Sequence, residues 1–202
     1  MKNSPKKRQT AEEFLKELQA DPAYRAMRAE QERRMQVLRE QDRIEEAPIV
    51  EALREVGVNV ESPWDLVNTG APYPAAIPVL LEHFTRPYST RAREGIARAL
   101  AVPEAAWAWD VLVTWFRNEP TAEPSGVKYA LGCALSAAAT DDVVEKLIDL
   151  VRDTSLGGDR TALLPALARS ERPKARAALE ALRTDSQLSR QIRILIGSRK
   201  RS

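Results

Sequence analysis

The sequence predicts an all-α protein, a stack of about four antiparallel helix pairs preceded by a long charged helix. Three observations carry this. Apolar residues make up 44% of the 202 positions but aromatic residues only 5%, so a core must be assembled from Ala, Leu, Val and Ile, which suits close helix packing better than a sheet sandwich. Capping signatures and Pro or Gly breaks cut the chain into helix-length segments. From residue 72 onward these segments recur every 32 to 35 residues, the range of helical repeat proteins, in which each unit buries its apolar face against its neighbours.

In chain order, residues 1–9 form a basic tail, with four cations between Lys2 and Arg8, and have the composition of a disordered segment. The run Glu12-Glu13-Phe14-Leu15-Lys16-Glu17 follows where a signal peptide would carry an apolar stretch, so a cytoplasmic location is expected. Residues 10–47 read as a charged helical segment. Thr10 with Glu13 makes a capping box, helix formers continue to Ala20, and Asp21-Pro22 caps and restarts the helix, which runs to about Glu46. Its apolar stripe of Tyr24, Met27, Met35 and Leu38, with Gln31 in the middle, is thin. A helix lying along its own domain and a helix paired with a second copy both fit such a stripe.

Pro48 is expected to begin another helix that reaches Val56, with Gly57 as its left-handed stop. Ser62-Pro63-Trp64-Asp65 then opens a short helical turn ending near Asn68-Thr69-Gly70, with Trp64 and Leu66 as anchors. Residues 48–70 are thus a capping layer, and residues 71–202 the repeat domain.

Within that domain the second helix of each pair shows one register: Ala92-Arg93-x-x-Ile96-Ala97-x-Ala99-Leu100, Val127-Lys128-x-x-Leu131-Gly132-x-Ala134-Leu135 and Asp159-Arg160-x-x-Leu163-Leu164-x-Ala166-Leu167. The first helices agree, because Phe84, Phe116 and Val151 close apolar runs at the same period. A fourth, eroded unit starts at Pro173, with residues 188–196 as its second helix; end repeats are atypical because one face meets water.

Ala76-Ile77-Pro78-Val79-Leu80-Leu81 followed by the Arg93 motif resembles the HEAT-repeat pattern, especially the HEAT-like repeats of phycobilin-lyase relatives and of bacterial proteins. The likeness covers about residues 72–183. It implies a right-handed superhelix of antiparallel helix pairs, with the second helices on the concave side. It also implies that Arg93, Lys128 and Arg160 bond an acidic residue in a turn between helices. The turns Thr85-Arg86-Pro87-Tyr88-Ser89 and 118–125 place no Asp at the matching position, so that ladder is not expected in the first two units.

Thirty-one Lys and Arg against 29 Asp and Glu leave a charge of +2, too balanced to argue for nucleic acid. One Cys and one His supply neither a disulfide nor a His-rich metal site, and no stretch approaches the length of a membrane span. No metal, cofactor or catalytic residue is assigned. His83 reads as a partly exposed helix residue and Cys133 as a packed thiol. Gly157-Gly158-Asp159-Arg160 reads as a tight turn whose Asp caps the next helix, and Asp141-Asp142 as a first turn complementing the helix dipole. Trp107, Trp109 and Trp115 concentrate in one helix; positions 109, 112, 113 and 116 share a core face, which leaves Trp107 surplus to packing. HEAT-like alkylpurine DNA glycosylases use aromatic residues and an Asp, so Trp107 with Asp110 keeps an enzymatic reading as a distant third.

The repeat register points Arg91, Glu94, Arg98 and Tyr129 toward the groove, and Arg and Tyr dominate binding hot spots when desolvated. The expected function is protein–protein recognition, as an adaptor, regulatory or immunity-type module whose partner is unidentified. Glu94 paired with Arg98 on an ordinary solvated face is the plain alternative. The second function class is nucleic-acid binding through the basic tail with Arg93, Lys128 and Arg160.

Overall fold

The computed structural model describes residues 10–67, 69–121 and 126–199. Among them every regular element is helical, with eleven α-helices, three 3₁₀ segments and no strand. The basic tail, Asn68 and residues 122–125 lie outside the described residues, as does the side chain of Glu13. No described helix is long and apolar enough to cross a membrane.

The chain divides into two units at Ile44/Glu45. The first contains α1 (Ala11–Ala20) and most of α2 (Pro22–Glu55). Asp21 separates the two helices as the capping rule requires, its carboxylate accepting the Ala23 N–H at 2.8 Å. Between Arg25 and Gln41 every side chain of α2 is exposed, Met27, Met35 and Leu38 included. Ion pairs at helical spacing line the helix: Arg28 with Glu32, Arg34 with Glu30, and Arg43 with Glu40.

The expected new helix at Pro48 does not form a separate element, because α2 continues through Pro48 to Glu55. Proline removes the bond to the carbonyl four residues earlier, here that of Ile44, whose residue is well exposed so that water can satisfy the freed oxygen. The missing bond coincides with the boundary between the units. The last turns of α2 carry Glu46, Ile49 and Leu53, all buried. Gly57, at φ +83°, ends the helix as expected: the Val58 N–H reaches the Leu53 carbonyl at 2.9 Å.

The second unit runs from Glu45. After α3 (Trp64–Val67) the pairs follow: α4 (Ala76–Phe84) with α5 (Thr90–Ala99), then α6 (Trp109–Asn118) with α7 (Val127–Ala138). The third is α8 (Val144–Arg152) with the 3₁₀ segment Thr154–Leu163 and α9 (Leu164–Arg169), and last come α10 (Pro173–Ala181) and α11 (Ser189–Arg199), each packed on α9. Second helices pack on their successors, α5 on α7, α7 on the 154–163 segment and α9, and α9 on α11. One continuous core joins Ile49, Leu80, Ile96, Leu112, Leu131, Leu147, Leu163 and Leu179.

Two helices differ from expectation. Trp107 belongs to the 3₁₀ segment Pro103–Ala108, and α6 begins only at Trp109. The second helix of the third pair is mostly 3₁₀, because Gly157 adopts φ 66°, ψ −153° and Pro165 lacks the N–H for a continuous α-helix. Asp153 caps that segment by accepting the Ser155 N–H. The carbonyl of Gly157 accepts from Arg160.

Candidate recognition face

The three repeat-aligned cations face inward. Arg93 makes a bidentate pair with Glu119 at 2.9 and 2.6 Å and lies over Phe84. Arg160 is 1% exposed, bonded to the carbonyls of Gly157 and Val151, to Asp185 at 3.3 Å and to Gln187 at 2.8 Å. Lys128 is buried with its ammonium over Phe116. All three are engaged within the protein, Arg93 and Arg160 with carboxylates and Lys128 with an aromatic ring.

The ladder expected to be missing from the first unit is present there. Glu119, directly after α6, serves where an Asp was sought, and Asp185, in the turn between α10 and α11, serves the third. Acid follows base by 26 and 25 residues, so each bond ties one pair to the turn of the next. Burial pushes the Asp185 carboxyl up, but the N–H groups of Gln187 and Leu188 and the Arg160 guanidinium outweigh it and hold the carboxyl below its ordinary value.

The other four candidates gather on one face. On α5, Arg98 pairs with Glu94 at 2.8 Å, and both Arg91 and Arg98 stand over the ring of Trp64, at 5.4 and 5.9 Å from its centroid. Tyr129 on α7 is 41% exposed and close enough to feel the charges of Arg98 and Asp159; burial first, and Asp159 among the nearby anions, raise its pKa. Trp64 is the member that sequence reasoning placed only as an anchor. Its seat is Gly95, where a Cβ would come within 2.6 Å of the indole nitrogen. A glycine inside a predicted helix was the available signal, because it costs about 1 kcal/mol relative to Ala unless something must approach closely. The indole N–H of Trp64 is the one described buried side-chain donor without a hydrogen-bond partner.

The remaining candidates divide. His83 is buried, a correction to the partly exposed residue expected: the 85–89 turn folds back so that Tyr88 stacks beside it with its hydroxyl 2.8 Å from Nδ1. Burial, with help from the Arg86 charge, lowers its pKa. Burial raises the Cys133 thiol, which therefore stays protonated at neutral pH. Trp107 is 65% exposed, whereas Trp109, Leu112 and Phe116 are buried. Asp110 is occupied by Lys146 at 3.0 Å. Asp141 binds the hydroxyl of Ser170 and pairs with Arg172.

The arrangement offers planar cations, an indole, a phenol and one carboxylate on a rigid helical surface, a set suited to recognition by stacking and hydrogen bonding. No family model, curated protein or solved structure significantly matches this chain.

Proposed function

We propose that the second unit is a right-handed HEAT-like solenoid of four helix pairs and acts in the cytoplasm as a protein-recognition module. Packing of each second helix on its successor and the Arg93–Glu119 and Arg160–Asp185 ties between consecutive pairs support the solenoid. The observation that carries the binding function is the Trp64, Arg91, Glu94, Arg98 and Tyr129 cluster. It is rich in the residue types of hot spots, and apart from Trp64 on α3 its members lie on α5 and α7, the helices that would line the concave side.

Nucleic-acid binding is the weaker reading, since Lys128 and Arg160 are buried and Arg93 is held by Glu119. An enzymatic role ranks last, with Asp110 tied to Lys146 and the Cys133 thiol raised.

The test is affinity capture from the native extract, with and without nuclease, comparing the wild-type protein with an Arg91→Glu/Tyr129→Ala variant. A discrete protein that survives nuclease and is lost with the variant, at unchanged melting temperature, supports the proposal. Equal retention by the variant removes this face from the site, and loss of all bound material on nuclease treatment favours nucleic acid.

A further inference from the structure

We propose that two copies of this chain pair through α2, antiparallel, with a two-fold axis at Gln31. On the first unit's stretch of α2, Met27, Met35 and Leu38 are 49, 50 and 51% exposed, amid charged neighbours. Tyr24, Met27, Gln31, Met35 and Leu38 step by three and four residues, so they form one face of the helix. The same steps repeat every eleven residues, as Tyr24 to Met35 and Met27 to Leu38, a spacing that drifts by only about 20° around the helix and so keeps all five on one stripe over this length.

That face is symmetric about its centre. Met27 and Met35 stand four residues before and after Gln31, and Tyr24 and Leu38 stand seven before and after. A two-fold axis through Gln31, perpendicular to two antiparallel helices, therefore sets Met27 against Met35 of the second copy and Tyr24 against its Leu38. Gln31 meets itself. A primary amide both donates and accepts, so two such amides close a reciprocal pair, and a lone polar residue in an apolar seam fixes register.

The charges beside the seam are also self-complementary. At about 100° per residue, Arg28 and Glu32 flank the stripe on one side and Glu30 and Arg34 on the other. Each side is already an ion pair within the chain, at 3.7 and 3.0 Å. The two-fold axis brings Arg28 beside Glu32 of the second copy, and Arg34 beside its Glu30, so each side becomes a cluster of two cations and two anions with no like charges abutting. Antiparallel alignment also sets the helix dipoles head to tail. The seam from Tyr24 to Leu38 is only about 21 Å long, so the contact is small and the dimer dissociates on dilution.

The experiment is sedimentation equilibrium of the full chain over a concentration series. A monomer–dimer equilibrium is expected, with Arg28→Glu raising the dissociation constant at least about tenfold through new like-charge contacts and Arg28→Glu/Glu32→Arg restoring it. In a Cys133→Ser background, an equimolar mixture of Met27→Cys and Met35→Cys chains is expected to form the mixed disulfide in preference to either self-pair. Monomer at every concentration overturns the proposal. So do a dimer indifferent to the charge reversal and its restoration, which would lie elsewhere, and a Met27→Cys self-disulfide, which would mean parallel helices.

Discussion

Arg91 and Arg93 are two residues apart on α5 and meet opposite fates. Arg93 turns inward to Glu119 and Phe84, while Arg91 stands at the surface over Trp64. Arg160 repeats the first situation at its extreme, with its side chain 2% exposed. The lesson is that Arg93 and Arg160 are held by acids 26 and 25 residues on, and Lys128 by an aromatic ring, whereas Arg91 lies at the surface against an indole. Counting basic residues along the sequence cannot separate the two, because both kinds are Arg at helical spacing.

The largest effect should come from breaking the inward set. Asp185→Ala leaves Arg160 buried without its counter-charge and removes the acceptor for the Gln187 and Leu188 N–H groups, and should cost about 3–5 kcal/mol. Chemical denaturation would show it as a lowered midpoint with an unchanged slope. Glu119→Gln keeps the shape but removes the anion and turns one of the two acceptors into a donor facing the Arg93 guanidinium, and about 1.5–3 kcal/mol is expected in the same assay. Equal, negligible losses from both would refute the inward-outward distinction.

A pH series adds a smaller effect. The folded pKa of His83 is lowered by burial and then by Arg86, so its neutral form is favoured in the native state. That contribution is fully present above the unfolded value of about 6.5 and is lost as pH falls toward the lower folded value, because the unfolded chain takes up the proton first. The melting temperature should drop as pH is taken from neutrality through this window, and His83→Gln should flatten that part of the curve. The smallest stability change belongs to the outward set: Arg91→Glu should shift unfolding by no more than about 0.5 kcal/mol while weakening partner capture. A large loss of stability would place Arg91 with Arg93.

Much of the scaffold was legible in the sequence. Asp21, Gly57 and Ser62 mark the breaks they were expected to mark, since caps and left-handed stops act on the nearest few residues. The shared core face of Trp109, Leu112 and Phe116 followed from helical spacing alone. Arg91, Glu94, Arg98 and Tyr129 do come to one face, yet Trp64, which organises two of them, comes from 27 residues before Arg91 and was signalled only by Gly95. Pro48 misled because a proline at an exposed turn can be absorbed by a helix whose freed carbonyl is solvated. In the 118–125 turn, which holds no Asp, the longer carboxylate of Glu119 reaches the Arg93 guanidinium instead.

By itself, then, the sequence determined the all-helical class and the breaks at Asp21, Gly57 and Ser62, all consequences of interactions within one or two turns of chain. Only the tertiary structure decided which cations are buried and which acids 25 or 26 residues on reach them, that Tyr88 covers His83, and that the first unit ends at Ile44. Those outcomes depend on how loops return one helix against another, and a periodicity of 3.6 carries no information about where a loop brings the chain back.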